Sequence, residues 1–214
     1  GKEGYATLVS AYGGSFIKDG KPVFQSGGGL DALNYMVDSY KSGLTNPNSK
    51  EFLEEDVRRI FQNGEAAFAL NWTYMYNMAN DPKDSKVAGK VGVVPAPGID
   101  GKSAVSAVNG SMGLGITSTS KHADEAWKYI AFMTSQQTQN QYAKLSLPIW
   151  TSSYADPAVS KGQEELIAAA ALSFRRRALI CLPAACVSLG HDCCETVKVL
   201  LCASKEGLPV FVVA

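Results

Sequence analysis

Cysteine is missing from the first 180 residues of this chain, and all five cysteines (Cys181, Cys186, Cys193, Cys194 and Cys202) crowd into the C-terminal tail. An excess of charge is missing too, since twenty Lys and Arg stand against twenty Asp and Glu. That balance excludes the long-range field that gathers nucleic acid or an anionic membrane, and it points to a neutral ligand. No run of about eighteen apolar residues occurs, so no segment reads as a membrane-spanning helix. No charged-then-apolar leader opens the stretch, and any export signal is expected outside these residues.

Catalytic patterns are equally scarce. There is no G-x-S-x-G elbow, and the only histidines are His122, which reads as a surface residue near a helix start, and His191. A glycoside hydrolase needs two carboxylates about 5–10 Å apart across a cleft. Here the acids cluster on helix starts, and no pair flanks an aromatic cleft motif. The expectation is therefore a protein that is not an enzyme. Cys181, Cys186, Cys193, Cys194 and His191 fit poorly the spacing of two to four residues at which zinc ligands pair. Neither a metal nor a cofactor is expected. The basic and apolar stretch from Phe174 onward reads as a different protein from the body, explained by buried thiols or, preferably, by translation out of frame.

The body alternates helix and strand signals, which makes the fold class α/β. Leu30, Leu33, Met36, Val37 and Tyr40 recur at helical spacing, with Gly43 placed to end the helix. Asn48 and Glu51 suggest a capping box ahead of an apolar stripe of Phe52, Val57, Ile60 and Phe61. Glu51, Glu54, Glu55 and Asp56 then lie at its positive end, as a solvated face. Ala66 to Leu70 predicts a buried strand that delivers Asn71, Trp72, Thr73 and Tyr74 at its C-terminal end, where ligands collect in open α/β sheets. Val91 to Val94 and Ser111 to Ile116 predict two more strands. Ser120 is placed to cap a helix whose apolar face includes Ala126, Trp127, Ile130 and Met133, making Trp127 a core residue. A polar helix over 136–144 comes next.

This order of segments resembles the extracellular solute-binding proteins of bacterial ABC sugar importers, the maltose-binding-protein-like family, over about residues 1–170. The resemblance is carried by Tyr12 to Phe16, by Phe61 to Trp72, by Val91 to Pro97, by Asn109 to Ile116 and by the helix from Ser118 to Ser135. It implies a periplasmic-binding-protein-like (type II) fold with two lobes that close on ligand. Most of the second lobe and a returning segment of the first are implied here, with the remainder of the first lobe ahead of Gly1. The boundaries expected are 1–104 for the second-lobe segment, 105–150 for the hinge crossing and first-lobe segment, 151–170 for the return and 171–214 for the atypical tail. The implied function is capture of a sugar or polyol for the permease subunits of an ABC transporter, in the periplasm or at the cell surface. Binding of a peptide or polyamine on the same fold, and a carbohydrate-active hydrolase, are the alternatives.

Sugars offer apolar C–H faces and many hydroxyls, so their sites combine aromatic platforms with polar side chains. Trp72, at the point where the family places a stacking tryptophan, is the first candidate. Asn71, Tyr74 and Asn109 are of the right types beside it. Gly110 and Ser111 are placed to line the cleft near the hinge. Tyr12 and Trp150 sit in loops beside family-like segments, where they either face ligand or cover the core.

Overall fold

The computed structural model describes residues 2–101, 106–109, 113–175, 179–181 and 198–203; at residues 2–3, 109, 173–175, 179–181 and 198–203 it describes the backbone alone. Helix α1 (Lys2–Ala11) leads through the short hairpin β1 (Ile17–Lys18) and β2 (Lys21–Pro22) to α2 (Gly28–Lys41). Then come α3 (Glu54–Gln62), β3 (Phe68–Trp72), α4 (Met75–Ala79), β4 (Val91–Val94) and β5 (Ala107–Asn109). The remainder is α5 (Ala123–Thr134), α6 (Gln136–Gln141), α7 (Pro157–Ser160), α8 (Glu164–Arg175), β6 (Leu179–Cys181) and β7 (Lys198–Ala203). Strand β7 lies between β3 and β4 and is antiparallel to both, so β3 and β4 run parallel. Strand β6 pairs in parallel with β5.

The main core gathers side chains from α3, β3, α4, β4, α7 and α8. Phe61, Met75, Val93, Val159 and Leu166 are buried together, with Ala143 and Leu147 closing one side. Burying side chains of this size stabilises by about 1.5–3 kcal/mol each, which makes this cluster the anchor of the sheet. A second packing unit joins α1 to α2 and β5 through Ala6, Val9, Ala32 and Val108, all buried.

In α2 the helix forms where the periodicity predicts it, but its large apolar residues face outward. Leu30, Leu33, Val37 and Tyr40 are exposed, whereas Gly29, Ala32 and Ser39 are buried. Small residues win this face because the backbone comes very close: a Cβ on Gly29 would lie 2.0 Å from the Phe24 carbonyl oxygen. The helix after Asn48 starts later than the capping-box pattern predicts. Asn48 precedes only a 3-10 turn, Ser49–Glu51, and α3 begins at Glu54, after Leu53, whose N–H donates to Asp56 Oδ2 at 3.0 Å.

Two further expectations do not hold. Residues 113–116 carry no strand; the strand in this region is β5, a few residues earlier. Trp127 is not core but 62% exposed: α5 buries no residue fully, its Ala126, Ile130 and Met133 are half-buried, and Trp127, Tyr129 and Phe132 face out. Helix α6 is shorter than predicted and is capped by Ser135, whose hydroxyl accepts from the Thr138 N–H at 3.3 Å. Among the described residues, no helix is long and apolar enough to cross a membrane.

Candidate functional site

Strand β3 alternates. Ala69 and Asn71 are buried on one face, and Leu70 and Trp72 are half-buried on the other. Past the strand the chain turns into α4, with Thr73 buried and Tyr74 half-buried in helical backbone, and the side chains of both Trp72 and Tyr74 reach the start of α3. The strand starts two residues later than predicted, and Asn71 and Trp72 are part of it.

Asn71 is a buried polar residue, only 1% exposed, and the cost of burying its amide is offset by hydrogen bonds. Its Nδ2 donates to the main-chain oxygen of Glu54 at 2.9 Å, and its Oδ1 accepts from the Trp72 N–H at 2.7 Å. Asn71 thus ties β3 to the first turn of α3; this fastening, not presentation to a solute, is what its geometry provides. The indole Nε1–H of Trp72 reaches Glu54 Oε1 at 3.4 Å.

The hydroxyl of Tyr74 donates to Glu55 Oε1 at 2.5 Å, and Arg58 donates to Glu55 Oε2 from Nε at 2.8 Å and from Nη2 at 2.5 Å. Burial, with the bond to Glu55, pushes the Tyr74 phenol up to about 12. The same hydroxyl, with Arg58 second, holds the Glu55 carboxyl below its ordinary value. Arg58 also donates to Gln62 Oε1, and Gln62 Nε2 donates to the Met78 carbonyl at 2.8 Å, so the polar network runs from α3 across to α4. Trp72, Tyr74, Glu54 and Glu55 therefore form one patch of two aromatic rings edged by carboxylate oxygens. Such a patch offers an apolar face to a sugar ring and acceptors to its hydroxyls.

The other candidates sit elsewhere in the fold. Tyr12, just beyond α1, packs its ring against Tyr35 at 6.3 Å between centroids. Asn109 ends β5, the strand against which α1 packs, and only its backbone is described. Gly110 and Ser111 lie outside the described residues. Trp150 is exposed and anchored at the end of α5, its Nε1–H donating to the Thr134 carbonyl at 2.7 Å. Of the tail cysteines, Cys181 and Cys202 lie in described strands, backbone only, and Cys186, Cys193, Cys194 and His191 lie outside the described residues. Among the described residues no group of His, Cys, Asp and Glu is placed to hold a metal ion. By sequence, Glu54 and Glu55 belong to a solvated helix face. Their place beside the end of β3, reached only through the fold, marks them as part of the patch; no local pattern signals it.

The fold is similar to solved binding proteins. Maltose-bound MalE3 of T. maritima superposes with a TM-score of 0.72 at 31% identity, over 84% of this chain and 46% of that one. A solute-binding protein of Agrobacterium radiobacter K84 in complex with ribitol superposes with a TM-score of 0.68 at 20% identity, over 80% of this chain and 43% of that one. The architecture is thus that of a type II periplasmic binding protein, α/β and partial relative to these neighbours. The chain belongs to the bacterial extracellular solute-binding protein family, whose profile matches residues 2–140. A probable ABC transporter-binding protein of Deinococcus radiodurans is 32% identical over 139 residues, 63% of this chain and 32% of that protein. A binding protein of Brucella abortus is 26% identical over 130 residues, 60% of this chain and 31% of that protein. The matched part of the chain thus spans about a third of these relatives and under half of MalE3.

Proposed function

We propose that this chain is part of the substrate-binding component of an ABC importer, and that it holds a neutral sugar or polyol in a cleft between two lobes for delivery to the membrane permease. The observation that carries this reading is the Trp72 and Tyr74 patch, presented where β3 ends and edged by Glu54 and Glu55. Maltose and ribitol in the structurally similar proteins support the ligand class. Asn109, Gly110 and Ser111 line the cleft near the hinge in this reading, with Tyr12 and Trp150 as outer contacts. The protein works in the periplasm or at the outer cell surface, as a receptor without catalytic chemistry. A glycoside hydrolase requires a pair of carboxyls free to act on the bond to be cleaved, whereas Tyr74 and Arg58 engage both oxygens of Glu55.

A cationic amine is the second reading, because Glu54 and Glu55 place carboxylates beside an indole and a phenol. Arg58 weakens it by neutralising Glu55. Calorimetric titration with maltose, ribitol and spermidine separates the two: heat with maltose or ribitol supports the sugar reading, and heat with spermidine alone replaces it.

A further inference from the structure

We infer that Glu54 is a positioning residue for Trp72, fixing the orientation of its indole before any ligand arrives. Its effect on affinity rests on Trp72 being the platform proposed above; its effect on ring orientation does not.

A closed circuit of hydrogen bonds surrounds Trp72. The main-chain oxygen of Glu54 accepts from Asn71 Nδ2 at 2.9 Å, Asn71 Oδ1 accepts from the Trp72 backbone N–H at 2.7 Å, and the Trp72 indole N–H returns to Glu54 Oε1 at 3.4 Å. One residue thus holds Trp72 at both ends, through Asn71 at the backbone and through its own carboxylate at the ring. Asn71 cannot swing away, because it is only 1% exposed within the fold. An indole has a single N–H donor, so the direction of that bond selects one ring orientation among those the two side-chain torsions allow.

Glu55 does not compete for the role, because Tyr74 and Arg58 engage its two oxygens. Glu54 is the first residue of α3, where its carboxylate also meets the positive end of the helix dipole and is held in place. The physical consequence is preorganisation. A platform that is already oriented loses less torsional freedom when a sugar stacks on it, and affinity gains by that amount. Glu54 contributes to binding without touching the solute.

The chain holds three tryptophans, so indole 15N labelling gives three N–H cross-peaks, and Trp72→Phe identifies the one from Trp72. Glu54→Ala is expected to shift or broaden that peak while those of Trp127 and Trp150 stay in place. Glu54→Gln, whose amide oxygen still accepts, keeps it near its original position. Maltose binding weakens about three- to tenfold in Glu54→Ala, the loss of one net hydrogen bond, and recovers in Glu54→Gln. An unmoved Trp72 peak in Glu54→Ala overturns the inference. A moved peak with maltose affinity indifferent to Trp72→Ala keeps Glu54 as the positioning residue and removes the platform reading instead.

Discussion

Replacing Gln163 by methionine should destabilise the fold by about 2–4 kcal/mol, because it removes a buried polar hub and nothing else of comparable size. Gln163 is 0% exposed. Its Nε2 donates to the Val159 carbonyl at 2.7 Å and to the Ala143 carbonyl at 3.3 Å, and its Oε1 accepts from Asn77 Nδ2 at 3.0 Å. These bonds tie α4, the segment after α6, α7 and α8 to one point beside the main core. Each is worth about 0.5–1.5 kcal/mol net, and carbonyls left buried and unpaired cost more than the bond itself. Methionine matches the length and fills the space, so little cavity cost is added. Asn77 keeps its bond to the Lys144 carbonyl at 2.7 Å, which sets the loss nearer the middle of the range. Against a total stability of about 5–15 kcal/mol the effect is large. Urea unfolding monitored by circular dichroism measures it, as a lower midpoint with an unchanged slope. A change smaller than about 0.5 kcal/mol would refute the reasoning, since surface substitutions already cover that range.

Tyr74→Phe should flatten the alkaline limb of stability. The phenol is raised to about 12 in the folded chain, so its contribution is complete below the ordinary value of 10.0 and is lost as pH rises to about 12. Thermal melts across that window check it, and identical slopes for the two proteins contradict it. Glu55→Gln should flatten the acid limb in the same kind of melt series, because a carboxyl held low by Tyr74 and Arg58 stabilises above its unfolded value and loses that contribution as pH falls through the folded one. Gly29→Ala should cost about 3 kcal/mol or more, since its Cβ would sit 2.0 Å from the Phe24 carbonyl oxygen; a melting temperature equal to that of the parent chain contradicts this. Leu33→Gln with Trp127→Gln should lower binding of the dye ANS without lowering the melting temperature, because both side chains stand exposed.

Strands and helices that bury a regular pattern are legible in the sequence. Val91 to Val94 is a strand with the predicted bounds, and Leu30 to Tyr40 lies within α2. What periodicity does not carry is which face finds a partner. In α2 the decision falls to small residues, Gly29 lying against the Phe24 backbone and Ala32 being buried on the helix that packs on α1, and the larger apolar stripe is left outside. Trp127 departs from its expected place for a related reason: its spacing fits an apolar face, but among the described residues that face of α5 is covered only in part, with Ala126, Ile130 and Met133 half-buried and Trp127 left out. Around the candidate site, Trp72 and Tyr74 are visible because a strand signal ends beside them. Glu54 is not, since its bonds to Asn71 and Trp72 span 17 and 18 residues of sequence. The family is legible from the order of its segments, which the profile match over residues 2–140 bears out.

The most direct measurement is maltose titration of the parent chain and of Trp72→Ala by calorimetry, with thermal melts of both. The expected result is binding by the parent chain, a loss of at least about tenfold on truncating the aromatic platform, and a melting temperature shifted by only a few degrees. Unchanged affinity together with a large drop in melting temperature would contradict it, making Trp72 a structural residue with no part in holding a sugar.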